Sequence, residues 1–269
     1  MFPSQPRAAG EREMTDIDRP QGKLELRRVV SDTFAVIAHR PVALFGPAAA
    51  WSALILSLRY MGVPGFMPTT SMFTNFNPMF LGFVLINLVV ALAIRNSQIY
   101  IAVGDLDGRR PGLREILPVS MRKLLPILGL SILMGLGIGL GWLLLLVPGI
   151  ILLVMWIAAY PALIAEPINV IEAFGRSRTL TRGNRWRIFG LLLLLLVLIL
   201  IFEASIIATA GGVAALAAAA QGANLVTTTL IAVGGIALGG VGYVGAAALY
   251  VQLRDLKAGG AGRAAAVFE

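Results

Sequence analysis

The sequence predicts an all-α integral membrane protein. Six transmembrane helices are expected as three hairpins, each preceded by a short amphipathic helix at the cytoplasmic interface. Three observations carry this. Of 269 residues, 58% are hydrophobic and only 13% are charged, where a soluble domain carries about 25%. The apolar residues are clustered: neither Leu124–Ala165 nor Ala204–Leu253 contains an Asp, Glu, Lys, Arg or His. The basic residues, in turn, fall almost entirely between alternate apolar runs.

A helix needs about 20 apolar residues to cross the hydrocarbon layer. Spans are expected at about 41–58, 79–103, 124–146, 150–165, 188–213 and 229–253. The first contains Pro47 and the second a polar interruption, "RNSQ". The neutral stretch Leu124–Ala165 would measure about 63 Å as one helix, too long for a single crossing. "VPG" at Val147–Gly149 is therefore expected to break it, because Pro and Gly punctuate helices. Residues 1–23 are polar and Pro-containing and predict a disordered tail, with no apolar core of the signal-peptide type. Residues 254–269 are expected to form a second, loose tail.

Of the 22 basic residues, 20 lie before span one, between spans two and three, between spans four and five, or after span six. Arg59 and Arg95 are the exceptions. The positive-inside rule then places both termini in the cytoplasm of a bacterial inner membrane. This distribution accounts for the formal net charge of +8 and removes the case for nucleic-acid binding that such a charge would otherwise make. With no cysteine, disulfides, thiolate metal sites and cysteine nucleophiles are excluded.

The odd-numbered spans share a preface. Leu26, Val30, Phe34 and Ile37 recur at helical spacing before span one. Leu113, Ile116, Leu117 and Met121 do so before span three, and Ile168, Ile171 and Phe174 before span five. Apolar stripes flanked by charge suit helices lying among headgroups. Each leads into a similar approach, "HRPVALFG", "RKLLPILG" and "NRWRIFG", ending at Gly46, Gly129 and Gly190. Three repeats of interfacial helix plus hairpin are the economical reading.

The apolar hairpin with Pro148–Gly149, the carboxylate Glu166 and the following "EAFGRSRTLTRGNRWRIFG" resemble the bacterial membrane-domain family named after glycerophosphoryl diester phosphodiesterase. "GRRPGLREILPVSMRKLLP" before span three fits the same pattern. The resemblance runs from about Leu24 to Leu253 and implies a helical membrane fold. It does not imply phosphodiesterase activity, because the chain has one histidine and no soluble catalytic domain.

Charged residues inside a span usually face protein or water. Arg95, Asn96 and Gln98 of span two and Glu203 of span five are therefore candidates for a polar cavity. Arg176, Arg178, Arg182, Arg185, Trp186 and Arg187 form a basic cluster suited to anionic lipid headgroups, with the tryptophan as an interfacial anchor. Glu166 is placed to pair with these arginines, and Glu172 to pair with Arg176 four residues on. Gly135, Gly137, Gly139, Gly141, Gly235 and Gly239 are read as helix-packing positions. "DLDG" at Asp105–Gly108 mimics the start of a calcium loop but lacks the remaining ligands and is read as a turn. "GVGYVG" imitates a dinucleotide fingerprint inside an apolar span with no preceding strand and is rejected. His39 is given a structural role. No Ser-His-Asp set or metal cluster can be assembled, and no cofactor is expected. The functional expectation is a non-enzymatic membrane protein engaging membrane lipids, anionic phospholipids in particular, or serving envelope maintenance. The alternative is a small-solute permease using the polar residues of spans two and five.

Overall fold

A computed structural model describes residues 24–61, 78–210, 212 and 225–267. The described residues are helical, without strands. Ten helices follow in order: α1 (Leu26–His39), α2 (Pro41–Tyr60), α3 (Pro78–Leu106), α4 (Leu113–Arg122), α5 (Leu124–Leu144), α6 (Leu146–Trp156), α7 (Ala159–Ala165), α8 (Val170–Thr181), α9 (Arg185–Ala210) and α10 (Leu225–Val267). Six segments are long and apolar enough to cross a membrane: Pro41–Leu58, Leu81–Leu106, Leu124–Leu144, Leu146–Ala165, Arg185–Thr209 and Thr227–Gly259. This is a multi-pass membrane protein. The expected disorder of residues 1–23 and the expected end of span five at Val213 lie outside the described residues.

The long helices differ in how much they bury. In α2 and α9 only 6% of the apolar window is buried, against 44% for Leu146–Ala165. The outer surfaces of α5, α6 and α9 carry exposed Leu, Ile and Val, among them Leu140, Leu143, Leu194 and Leu200. In water such patches would drive aggregation; against lipid tails they cost nothing. The core lies toward one end of the bundle. It joins Leu44, Ile99, Leu163, Leu180, Ile188 and Leu249 with the fully buried Tyr250. α10 lies at its centre and packs against α1, α2, α3, α7, α8 and α9.

The expected break at Val147–Gly149 is corrected. α5 ends at Leu144, Leu145 is extended (φ −165°, ψ 143°), and Pro148 sits in the first turn of α6. There a proline is tolerated, because the N–H it lacks would have no intrahelical partner. Gly149 serves close packing: a Cβ on Gly141 would come within 2.9 Å of the Gly149 backbone, and one on Gly149 would strike Trp142. A second break, between Trp156 and Ala159, went unforeseen. Its cause is Pro161, which leaves the carbonyl four residues earlier, that of Ile157, without its helical donor. The Ser177 hydroxyl of α8 donates to the neighbouring Met155 carbonyl at 2.8 Å, the kind of repair a broken helix in hydrocarbon requires.

Three further expectations change. α9 starts at Arg185, so Arg185, Trp186 and Arg187 belong to its first turn and not to the preceding loop. The expected loose tail after Arg254 is helical through Val267; its Ala, Leu and Lys residues favour extension of a formed helix, and Gly259, Gly260 and Gly262 oppose it. In α10 the packing glycines are Gly234, against Phe202, and Gly240, against Phe45. Gly235 has open space and Gly239 meets only Tyr243 of its own helix. In α5, Gly137 and Gly141 are the close contacts, whereas Gly135 and Gly139 are open.

These contacts set an asymmetric outcome for one substitution type. Gly141→Leu is expected to destabilise by about 1–3 kcal/mol through overpacking, and Gly135→Leu to leave stability nearly unchanged. Thermal melting of both variants in detergent, followed by tryptophan fluorescence, checks this.

Candidate functional site at the basic end of the helices

The polar residues of α3 are shared out among its neighbours. The Arg95 guanidinium donates to Ser131 Oγ of α5 at 2.9 Å and lies 4.3 Å from the Tyr160 ring centroid. Asn96 donates to the Ser120 carbonyl of α4 at 3.3 Å, and the Ser97 and Ser120 hydroxyls are 2.9 Å apart. Gln98 donates to the Leu44 carbonyl of α2 at 2.8 Å. Glu203 is exposed on α9. The expected cavity of Arg95, Asn96, Gln98 and Glu203 is therefore not assembled. Consecutive residues on a helix point to different faces, and each found a different neighbour. The Arg95 Nε and the Asn96 Oδ1 are buried without a hydrogen-bond partner among the described residues.

At the basic end, Asp105 lies in the last turn of α3 and Asp107 follows the helix, and the chain turns through Gly108 (φ 72°). The expected turn holds, but its carboxylates do more than turn the chain. Asp105 faces His39 at 3.4 Å and Arg40 at 3.8 Å. Asp107 accepts from Arg254 of α10 at 2.6 Å and from Arg109 at 3.3 Å. Burial alone would raise the Asp107 carboxyl, but the hydrogen bonds and charges of Arg254 and Arg109 together hold it below its ordinary value. Asp107 thus ties the end of the second span to the sixth.

Glu166 forms the second junction. It accepts from Arg176 Nε at 2.9 and 3.0 Å and from the buried Tyr250 hydroxyl at 2.7 Å. Glu172 does not pair with Arg176. It completes a capping box with Asn169 at the start of α8, where an N3 carboxylate satisfies an otherwise free N–H. Lys123 donates to the carbonyls of Leu163 at 2.7 Å and Glu166 at 3.3 Å, a cation at the C-terminal end of α7. Burial, and then the charge of Arg122, hold the Lys123 ammonium below its ordinary value.

The expected arginine cluster divides. Arg176 is committed to Glu166, and Arg187 donates to the Leu24 carbonyl, 2.6 Å away. Beside it the buried Asn184 accepts from the Leu24 N–H at 2.9 Å. Arg185 is partly buried, with its Nε unpartnered. Arg178 and Arg182 are exposed, and Trp186 is 86% exposed.

Between the loop after α3, the start of α5 and the end of α7 lies a cavity of about 570 Å³, lined among others by Tyr100, Arg109, Glu115, Arg122, Lys123 and Glu166. Its loop wall depends on Gly104: a Cβ there would approach Pro111 to 2.8 Å. Pro111 is held in turn by Arg40, which donates to its carbonyl at 3.1 Å. The "GRRPG" segment carried no sign of a cavity, because its other wall comes from Ile164–Pro167, more than fifty residues on. Among the described residues no three of His, Asp and Glu are grouped to hold a metal ion.

The sign of the Asp107 effect follows from its lowered value. The ionised carboxylate is favoured by folding, so its contribution is complete above the ordinary value of 3.8 and is lost as pH falls through the folded-state value. Asp107→Asn is expected to destabilise at neutral pH by about 1.5–3 kcal/mol, the range for hydrogen bonds to charged groups. It should also shrink the loss of melting temperature between about pH 6 and pH 3. Parallel melts of the two proteins across that range measure both effects.

A domain of unknown function, DUF7847, matches residues 134–253. The matched stretch contains both helix breaks and the Glu166–Arg176–Tyr250 junction. No curated protein and no solved structure matches the chain.

Proposed function

We propose that this chain is a non-enzymatic protein of the bacterial cytoplasmic membrane that engages anionic phospholipid headgroups through its basic end. Both termini then lie in the cytoplasm, and α1, α4 and α8 are interfacial helices, each opening a repeat completed by a transmembrane hairpin. The observation that carries the reading is the pairing of exposed apolar and basic side chains on these three helices at one end of the bundle. Phe34 on α1, Leu117 and Met121 on α4 and Ile171 on α8 are 59, 58, 47 and 71% exposed. Arg28, Arg114, Arg122 and Arg178 are exposed on the same helices. Apolar side chains turned outward beside cations suit immersion at the level of lipid headgroups. The likeness to the phosphodiesterase-named membrane family belongs to this reading as kinship of fold, without its enzymatic activity.

The test uses the exposed cations, since Arg176 and Arg187 hold the fold. Native mass spectrometry of the purified protein is expected to retain more than one anionic phospholipid per chain, and Arg178→Gln with Arg182→Gln to lower that number. Retention of zwitterionic and anionic lipid alike would overturn the reading. Gly112→Cys and Thr179→Cys, both at exposed positions, should be protected from an impermeant thiol reagent in intact cells. Labelling of either reverses the orientation.

One observation favours a second reading, that of a permease. The Arg95 guanidinium touches Ser131 and Tyr160, which line an open groove of about 560 Å³ continuing past Gly135 and Gly139 to Trp142. A cation deep in a span with its Nε unpartnered is a place for an anionic solute. Arg95→Gln should abolish uptake of such a solute in proteoliposomes if transport is the function.

A further inference from the structure

Three features lie outside the fold's own bonding: the groove beside Arg95, the apolar cleft between α1 and α9, and the cavity at the basic end. The groove is open along most of its length and its polar atoms sit at one end. The cleft between α1 and α9 offers only Arg27 and Ser31 as polar side chains. The basic-end cavity combines enclosure, several donors and an unbalanced charge.

We infer that the cavity bounded by Tyr100, Arg122 and Lys123 is a specific binding site for the phosphate group of a single anionic lipid. The inference rests on the lipid-engaging reading and goes further, from a diffuse basic surface to one stoichiometric site.

The donors are distinct in kind. Lys123 Nζ uses two bonds on carbonyls, which leaves one of an ammonium's three N–H groups for a ligand. Arg122, the last residue of α4 and the residue before Lys123, makes no ion pair among the described residues. The Tyr100 hydroxyl has no hydrogen-bond partner there either, and its ring lines the cavity. Arg109 adds a fourth donor at the rim. It is bound to Asp107 at 3.3 Å, while Asp107 makes its shorter bond to Arg254.

The carboxylates do not neutralise this set. Glu166 lines the cavity but gives its oxygens to Arg176 and Tyr250. Glu115 is exposed in the first turn of α4, where the helix terminus favours a negative charge. Two adjacent cations, one of them half-buried, repel each other, and an anion placed between them relieves that repulsion. A phosphate oxygen accepts charge-assisted bonds from Lys, Arg and Tyr together. The walls from Val103, Val119, Pro126 and Ile164 are apolar and suit the glycerol and first acyl carbons beneath a headgroup. Such a lining favours a lipid over a free phosphate compound.

The test is made on the full chain in neutral detergent, with two probes, three single variants and one double variant. Native mass spectrometry with added phosphatidic acid, phosphatidylglycerol and phosphatidylcholine reads the lipid. Thermal shift with glycerol 3-phosphate reads a soluble phosphate. One anionic lipid per chain is expected to persist. Arg122→Gln should weaken its binding about tenfold or more and Tyr100→Phe about threefold, as for loss of one charged and one neutral donor. Lys123→Met should abolish it, but it also removes the bonds to α7, so the other two variants keep the proposal exposed if Lys123→Met does not fold. The pair Arg178→Gln and Arg182→Gln should leave the single retained lipid in place. Loss of that lipid in the latter pair with retention in Arg122→Gln and Tyr100→Phe would overturn the site and leave the general lipid reading standing. Absence of retained lipid in the unsubstituted protein would remove the lipid reading. In that event, stabilisation by glycerol 3-phosphate that Arg122→Gln abolishes would keep a phosphate site with a soluble source, and no stabilisation would overturn it.

Discussion

Polar groups inside hydrocarbon need partners within the protein, and in this chain one segment of α3 makes bonds that join four helices. Arg95, Asn96, Ser97 and Gln98 reach α5, α4 and α2 through Ser131, Ser120 and the Leu44 carbonyl. With no water to compete, each bond is available only if the neighbouring helix sits at the right height and rotation. The quartet therefore fixes the packing of the first three spans around α3. The Tyr160 ring beneath Arg95 brings in α7 as well. A run that interrupts hydropathy is thus the reason the surrounding apolar helices have a defined arrangement.

The basic end repeats this logic with full charges. Asp105, Asp107 and Glu166 terminate or follow α3 and α7, and each binds an arginine from another element: Arg40, Arg254 and Arg176. Gln252 adds a bond to Asp32 of α1 at 3.2 Å. α10 participates in three of these links, through Gln252, Arg254 and Tyr250. The last helix can be central because the small residues at 245–248 let it approach α1 and α3 closely. Its charged end then closes the bundle. Polar ties at one end, with largely apolar lipid-facing surface toward the other, make that end the better fixed and the natural place for a site needing set geometry.

How much of this was legible in the residues depends on range. The six apolar stretches declare themselves, because a span is a local property of composition and length. The turn at Asp105–Gly108 is also local, and the glycine in its left-handed conformation agrees with it. The helix breaks were only half legible. "VPG" marked the first break two residues late, and nothing marked the second: Pro148 and Pro161 each stand third in the helix that follows a break, α6 and α7. The expected set of Arg95 and Glu203 failed as well. Charge inside two spans suggested a shared cavity, but Arg95 turned toward α5 and α7 while Glu203 is exposed on α9. The cavity beside Lys123 was invisible, because its walls come from three separate parts of the chain.

The arginines carry the wider point. A positive-inside signal needs only charge on the correct side, and for it the five arginines from Arg176 to Arg187 are equivalent. In the folded chain they are not. Arg176 neutralises Glu166, Arg187 holds the backbone at Leu24, and Arg178 and Arg182 remain exposed. Arg122 and Lys123 likewise remain without carboxylates among the described residues. A topology signal would account for cations gathered at this end, but not for why some are bonded and others are left over. Folding gave carboxylates to Arg176 and Arg254 and carbonyls to Arg187 and Lys123. Arg122, Arg178 and Arg182 are left exposed, and their charge is what the fold itself does not use.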